Sequence, residues 1–360
     1  MAGLTEDELL DRAFDALRSM LPEIQLSREQ SPQDAGVDAL WLLPAPNGQP
    51  ATLLVEAKAR LLPRDVDQLQ ARLTPLAGQT RNATIVIVAP WLSPRSRALL
   101  TERGLNYIDL SGNIAIRINR PTVVIQTHGT DRDPNPQVVP PAQLKGSRVN
   151  RIVRLLADVK PPYGVSALAN AAGVSAGYVS RVLEALDEQA LVQRGRRREV
   201  IDVEWARLLE ARAANYDLLT SNQAETYVTQ QSFEAILDRL RQQDTGDVVV
   251  TGSVAAAQVA PITAPAQLVL YTSSPKAVRT EAKLLPATRG ANVVLLRPAD
   301  FSQVDRPRLV DGIAYAGLSQ LAMDCLAGNG RLPEEGDALL RVMAESEDHW
   351  RLPTLPTLAG

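Results

Sequence analysis

The spacing of apolar residues changes repeatedly over the first 130 positions, and each change predicts an element. Leu9, Leu10, Phe14, Leu17 and Leu21 recur at helical spacing behind Thr5-Glu6-Asp7-Glu8. That tetrad fits a capping box, in which a threonine and a glutamate three residues later satisfy each other's backbone donors. Val37–Leu43 and Thr52–Ala57 read as strands around an Asn47-Gly48 turn. Pro63–Leu73 reads as a helix. Thr84–Ala89 is an unbroken β-branched run, the mark of a strand covered on both faces. Ser93-Pro94 opens another helix, and Tyr107–Leu110, Asn113–Ile118 and Thr122–Thr127 close the region as strands. The order α-β-β-α-β-α-β-β-β implies a mixed α/β sheet.

Further on, Gly146–Val159 places Val149, Ile152, Val153, Leu155 and Leu156 on one helical face. Ser166 is expected to cap a short helix ending at Gly173, and Ser175 to cap a second that buries Val179, Val182, Leu183 and Leu186. Leu191–Val203 then alternates into a hairpin whose tip is basic. A polar passage from Thr220 to Gln231 precedes a helix at Ser232–Gln242. Asp247–Thr251 reads as a buried strand running into Gly252-Ser253, a tight turn with a cap, and a helix at Val254–Val259. Gln267–Tyr271 and Asn292–Leu296 read as strands on either side of a helix at Pro275–Leu284. Ile313–Gly328 reads as one long helix, with Leu318, Leu321, Ala322 and Cys325 as its core stripe. A loose, Pro-rich tail follows Trp350.

With 360 residues, and Asp131–Pro141 read as a linker, three domains are expected: 1–130, 145–218 and 230–345. The chain is thus expected to be α/β multidomain. One cysteine and two histidines exclude a disulfide scaffold or a zinc finger, so any metal must rest on carboxylates. No apolar run has the length of a membrane span, and the N-terminus is acidic where a signal peptide would be basic, so a cytoplasmic protein is expected. A net charge of −3 argues against indiscriminate nucleic-acid coating. Within Lys145–Val200, however, ten Lys/Arg face five acids, and a local charge of +5 in an acidic chain suggests a polyanionic partner.

Two chemistries follow. In the first domain, Glu56 and Lys58 lie two apart on a strand and share a face, and Asp38 on the neighbouring strand can come alongside. Two carboxylates can hold a hard cation, Mg or Mn, while an ammonium assists attack on a phosphodiester. This D…ExK pattern resembles the PD-(D/E)XK nuclease superfamily over about 120 residues. The resemblance implies a restriction-endonuclease-like mixed sheet, Asp38 and Glu56 as metal ligands, Lys58 and Gln68 as catalytic residues, and Glu8 as a possible further acid. Activity would make the chain a metal-dependent DNA endonuclease; without it, no cofactor is expected.

In the second domain, the helix–turn–helix and basic hairpin have the layout of a winged helix-turn-helix. In such domains the second helix enters the major groove, so Ser175, Ala176, Gly177, Tyr178, Ser180 and Arg181 would meet double-stranded DNA. Arg181 could read guanine through two hydrogen bonds. Arg194, Arg196, Arg197 and Arg198 on the wing would neutralise phosphates, making binding salt-dependent. In the C-terminal α/β region, strand–Gly-Ser–helix is also the opening of a nucleotidyltransferase core. Leu268–Tyr271 supplies no metal-binding carboxylate, so that activity is excluded there.

Gly104–Asn113, the winged helix from Gly146, Val249–Ser253, Gly290–Leu296, Ser319-Gln320 to Asp324, and Gly330-Arg331 together resemble the AbiEi family of type IV antitoxin and regulator proteins. The resemblance implies a DNA-binding regulator that represses its own operon and opposes a toxin protein. Winged-helix regulators often form homodimers, although no heptad pattern specifies an interface here. A D…ExK set in the first domain departs from the simplest layout of that family.

Overall fold

A computed structural model describes residues 4–29, 36–45, 50–131, 134, 144–242 and 248–356. The Asn47-Gly48 turn and most of Asp131–Pro141 lie outside them. The chain divides into two compact units, one of residues 1–140 with Asp187–Ala190 and the other of the remainder. Both contain a mixed sheet flanked by helices. Among the described residues no helix is long and apolar enough to cross a membrane.

The first unit runs α1 (Glu6–Met20), β1 (Ser27–Glu29), β2 (Ala39–Leu43), β3 (Ala51–Ala57), α2 (Val66–Gln79), β4 (Ala83–Ala89), α3 (Pro94–Glu102), β5 (Asn106–Asp109), β6 (Ile114–Ile118) and β7 (Val123–Thr127). Thr5 and Glu8 form the capping box. Ser93 accepts a hydrogen bond from the Ser96 N–H at the start of α3. Among the described residues seven strands pair in sequence order, with β3, β4 and β5 parallel at the centre and antiparallel neighbours outside. Parallel strands need crossovers, which α2 and α3 supply. Leu9, Phe14 and Leu17 of α1 pack on one face, against Trp41, Leu53, Val55, Val86 and Val88. Leu69 and Leu73 of α2 and Leu99 and Leu100 of α3 pack on the other, with Ile87 and Ala89. The unbroken apolar run of β4 is therefore covered on both faces.

The second unit opens with α4 (Ser147–Asp158), α5 (Val165–Ala172), α6 (Ala176–Glu188), a hairpin of β8 (Val192–Arg194) and β9 (Val200–Val203), and α7 (Trp205–Ala213). Its sheet region follows: β10 (Gln223–Val228), α8 (Phe233–Gln242), β11 (Val248–Thr251), α9 (Gly252–Ala257), β12 (Leu268–Thr272), α10 (Pro275–Glu281), β13 (Leu285–Pro286), β14 (Val293–Arg297), β15 (Arg308–Val310) and β16 (Ile313–Tyr315). The helices α11 (Leu318–Leu326), α12 (Leu332–Glu345) and α13 (Glu347–Trp350) close the chain. The strand order is β13-β10-β14-β12-β11-β16-β15, with parallel and antiparallel pairs mixed. Leu321 and Cys325 of α11 and Leu339 of α12 enter the sheet core. Ala322 and Met323 of α11, with Leu340 and Met343 of α12, enter the core built by α4–α7. The two helices thus belong to both cores and weld them together.

Several sequence expectations change. The polar Thr220–Gln231 passage contains β10, a strand inside the sheet between β13 and β14, whose residues Gln223–Glu225 and Thr226 are exposed. The long helix from Ile313 is a strand followed by a helix. Tyr315 pairs with Val250 in the sheet, and extended Gly317 separates the two. Ser166 lies inside α5, which Gly164 precedes without a side-chain cap, while Gly173 ends it in the left-handed conformation at φ 63°. Ser253 does not cap α9; it donates to Glu335 of α12 at 2.7 Å. The Pro-rich tail is not loose through Leu352. The Leu352 carbonyl accepts from the Lys160 N–H at 2.8 Å, and Trp350 meets Trp205 edge-to-face at 5.0 Å.

Candidate functional site

On β3 the period-2 alternation puts Glu56 on the α2 side of the sheet, and its carboxylate is almost fully buried, 3% exposed. Glu56 Oε1 accepts from Lys58 Nζ and from Arg72 Nη2, which reaches across from α2. Arg72 also donates to the Gly36 carbonyl at 2.9 Å. Asp38 precedes β2 rather than lying in it. Its N–H donates to Val55, and its Oδ2 accepts from the Ala57 N–H at 2.7 Å. Gln68 is exposed on α2, one turn before Arg72. Glu8, the candidate extra acid, accepts from the Thr5 N–H at 2.9 Å, and that hydrogen bond lowers its pKa.

This arrangement neutralises Glu56 with two cations and uses Asp38 to hold the start of β2 against β3. One buried acceptor, Glu56 Oε2, has no partner and is the atom a divalent cation could take. Among the described residues no group of three or more His, Cys, Asp and Glu side chains could hold a metal ion. A cation here would rest on Asp38 and Glu56 alone, beside two positive side chains. The sequence reading overlooked Arg72, although its i+4 spacing from Gln68 puts both on one helical face.

Charge is presented differently in the second unit. Ser175 Oγ accepts from the Tyr178 N–H at the start of α6. Ser175, Ala176, Gly177 and Arg181 are exposed, and Tyr178 and Ser180 are half-buried. The Arg181 guanidinium lies over the Tyr178 ring at 6.0 Å, a stacking that extends the arginine along the helix surface. Between β8 and β9 the chain turns through Gly195 N–H to Glu199 O and Arg198 N–H to Gly195 O, at 2.8 and 2.9 Å. Arg194 donates to the Arg198 carbonyl from both Nε and Nη2, so it braces the turn. Arg196, Arg197 and Arg198 are exposed, and among the described residues no carboxylate pairs with them or with Arg181.

A third polar cluster lies inside the second unit. Asn150, Arg154 and Asp158 recur at i, i+4 and i+8 on α4, and all three are buried. Arg154 donates to the carbonyls of Ser302 and Asp305, and its Nε to Ser319 Oγ at 3.3 Å. Gly317 is required by this approach, since a Cβ there would stand 2.7 Å from Arg154 Nη2. Burial lowers the pKa of Arg154, and Asp158, which also pairs with Arg306 at 3.0 Å, opposes that shift. Asn150 reaches Gln320 Oε1 at 3.2 Å, and Gln320 in turn donates to Asp324 at 2.7 Å. Asp324 is fully buried and also accepts from Thr251, Tyr271 and Tyr216 at 2.6, 3.0 and 3.1 Å. Burial pushes its pKa up to about 6, against the pull of those donors. The network binds α4 to β11, β12 and α11. Cys325 is buried in the sheet core, and burial raises its thiol pKa well above the ordinary value, as expected of packing rather than of a nucleophile.

Compared with family models, with curated proteins and with solved structures, the chain matches none.

Proposed function

We propose that the protein is a sequence-specific, winged-helix DNA-binding regulator of transcription, an antitoxin-like autorepressor of AbiEi type. One observation carries this reading: Arg181, Arg196, Arg197 and Arg198 are exposed without carboxylate partners on a helix and a hairpin tip that follow two other helices. Unneutralised guanidinium groups on an acidic protein favour a polyanion. A helix bearing Ser175–Arg181 has the dimensions of the major groove, and a basic hairpin beside it can follow the phosphates. Ser175, Ala176 and Gly177 are small enough to let the helix N-terminus approach base edges. Arg181 reads a base, Ser180 and Tyr178 contact phosphate or base edges, and Arg194 holds the turn that carries the other three arginines. The AbiEi resemblance adds a cognate toxin as a protein partner, and the winged-helix layout adds a homodimer as the bound form.

The test is a mobility-shift assay with the DNA upstream of the protein's own gene and a scrambled duplex of equal length, at two salt concentrations. A shift confined to the upstream DNA, weakening steeply with salt, is expected. Equal affinity for both duplexes, or no shift, removes the reading.

A second reading, a Mg- or Mn-dependent endonuclease, is favoured by one observation, the unpartnered Glu56 Oε2 beside Lys58. Asp38 and Glu56 would hold the metal, which would supply an activated water; Lys58 would steady charge on the phosphate, and Gln68 would orient the strand. The same assay with Mg or Mn added tests it. Cleavage abolished by Glu56→Gln supports the enzyme, and intact DNA dismisses it.

A further inference from the structure

A cavity of about 90 Å³ lies at the start of α4, lined by Gly146, Ser147, Asn150, Arg212, Tyr216 and Gln303 among others. That volume is room for roughly three waters, or for one small polyatomic ion. Two features of its wall are independent. First, α4 is twelve residues long and begins at Ser147 with no side-chain cap, so its first-turn N–H groups and the positive end of its dipole border the cavity. Second, Arg212 of α7 lines the cavity at 4% exposure, and its Nε–H is buried without a hydrogen-bond partner. The rest of that guanidinium is held in place: Nη1 donates to the Asn215 carbonyl at 3.2 Å, and the group lies over the Tyr216 ring at 4.9 Å.

Asp300 and Asp324 are the acids beside this guanidinium, and neither forms an ion pair with it. Asp300 lines the cavity but is engaged by both Nε and Nη2 of Arg151, at 3.0 and 2.6 Å. Asp324 lies behind Tyr216 and spends its oxygens on Thr251, Gln320, Tyr271 and Tyr216. A buried guanidinium short of one partner, lining the same small cavity as an uncapped helix N-terminus, offers the two kinds of group that hold an oxyanion.

We propose that this cavity binds a small oxyanion, of phosphate or carboxylate size, held between the first-turn N–H groups of α4 and Arg212. The occupant is a free ion, because a duplex phosphate cannot reach a guanidinium buried this deeply.

The test reads ion binding by the whole chain and stands apart from the DNA-binding reading. Thermal unfolding is followed while inorganic phosphate, acetate or chloride is titrated at constant ionic strength. A saturable rise in Tm with phosphate or acetate, absent with chloride, is expected. Arg212→Met should weaken it by roughly tenfold or more, the worth of a hydrogen bond to a charged group. Ser147→Pro removes one first-turn donor while keeping the helix, since proline is tolerated at that position and Gly146, at φ 85° and ψ 170°, already has the ψ that a following proline needs. It should weaken binding severalfold, so the test survives if the Arg212 variant does not fold. Equal stabilisation by all three ions, or full affinity in Ser147→Pro, overturns the proposal.

Discussion

α4 and α6 are both amphipathic helices carrying an arginine on the polar face, and the two arginines meet opposite fates. Arg154 of α4 is buried, with its donors on the carbonyls of Ser302 and Asp305 and its charge beside Asp158. Arg181 of α6 is exposed and lies only over the Tyr178 ring. A polar helical face is therefore no measure of solvent exposure; what matters is whether another element brings complementary groups to it. On α4 the segment 302–324 brings carbonyls, hydroxyls and amides. On α6 no element covers the arginine, and its charge stays available to a ligand. Internal use should appear as stability and unspent charge as binding.

The largest effect is expected at Arg154. Arg154→Met keeps much of the volume but leaves the Ser302 and Asp305 carbonyls and the Asp158 carboxylate short of a partner. Breaking a buried pair of this kind costs about 3–5 kcal/mol. Urea unfolding should show a midpoint lowered accordingly, and a shift below about 1 kcal/mol would mean that the polar seam contributes little.

Asp324 gives the next effect. Its carboxyl is raised to about 6 in the folded chain, against an ordinary value of 3.8. The folded state therefore binds the proton more tightly than the unfolded one. The stability this confers is complete below pH 4 and is lost as pH rises through 6, a change of roughly 3 kcal/mol. Asp324→Asn cannot ionise, so its stability relative to the wild type should climb by that amount between pH 4 and 7. A difference that is flat with pH would show that the carboxyl ionises as easily in the fold as outside it.

The same contrast explains what the sequence disclosed. Apolar periodicity is local, so the β4 run, the Thr5 and Ser93 caps and the Gly173 turn were all legible from neighbouring residues. The seam was not. Asn150, Arg154 and Asp158 have the i, i+4 spacing of a solvated face, and their partners lie about 150 residues away. β10 was hidden for a related reason: its exposed polar residues look like a linker, and only pairing with β13 and β14 makes them a strand. In the first unit the Glu56–Lys58 pair was readable from strand alternation. Arg72, which completes it, comes from the next helix and needed the β3–α2 packing. Arg181 and the hairpin arginines were the most legible candidates because no distant element intervenes.

Arg181→Ala should therefore leave unfolding unchanged within about 0.5 kcal/mol, as for an exposed side chain with no ion pair. Affinity for the specific duplex should fall by about 1–3 kcal/mol, the worth of a bidentate base contact, with little change for the scrambled one. A uniform loss on both duplexes would place Arg181 on a phosphate instead.

The smallest stability effect is expected where the charge is densest. Arg196, Arg197 and Arg198 converted together to alanine should leave the unfolding midpoint almost where it was, because the turn rests on backbone hydrogen bonds and on Arg194. Only Arg198, at φ 62°, occupies a conformation that an L side chain adopts at a cost, and alanine bears a similar one. The slope of log affinity against log salt should become shallower by roughly three, near 0.9 for each phosphate contact removed. If the variant instead unfolds early and keeps its salt slope, these arginines stabilise the fold as Arg154 does, and the division between spent and unspent charge fails at the place where it is drawn most sharply.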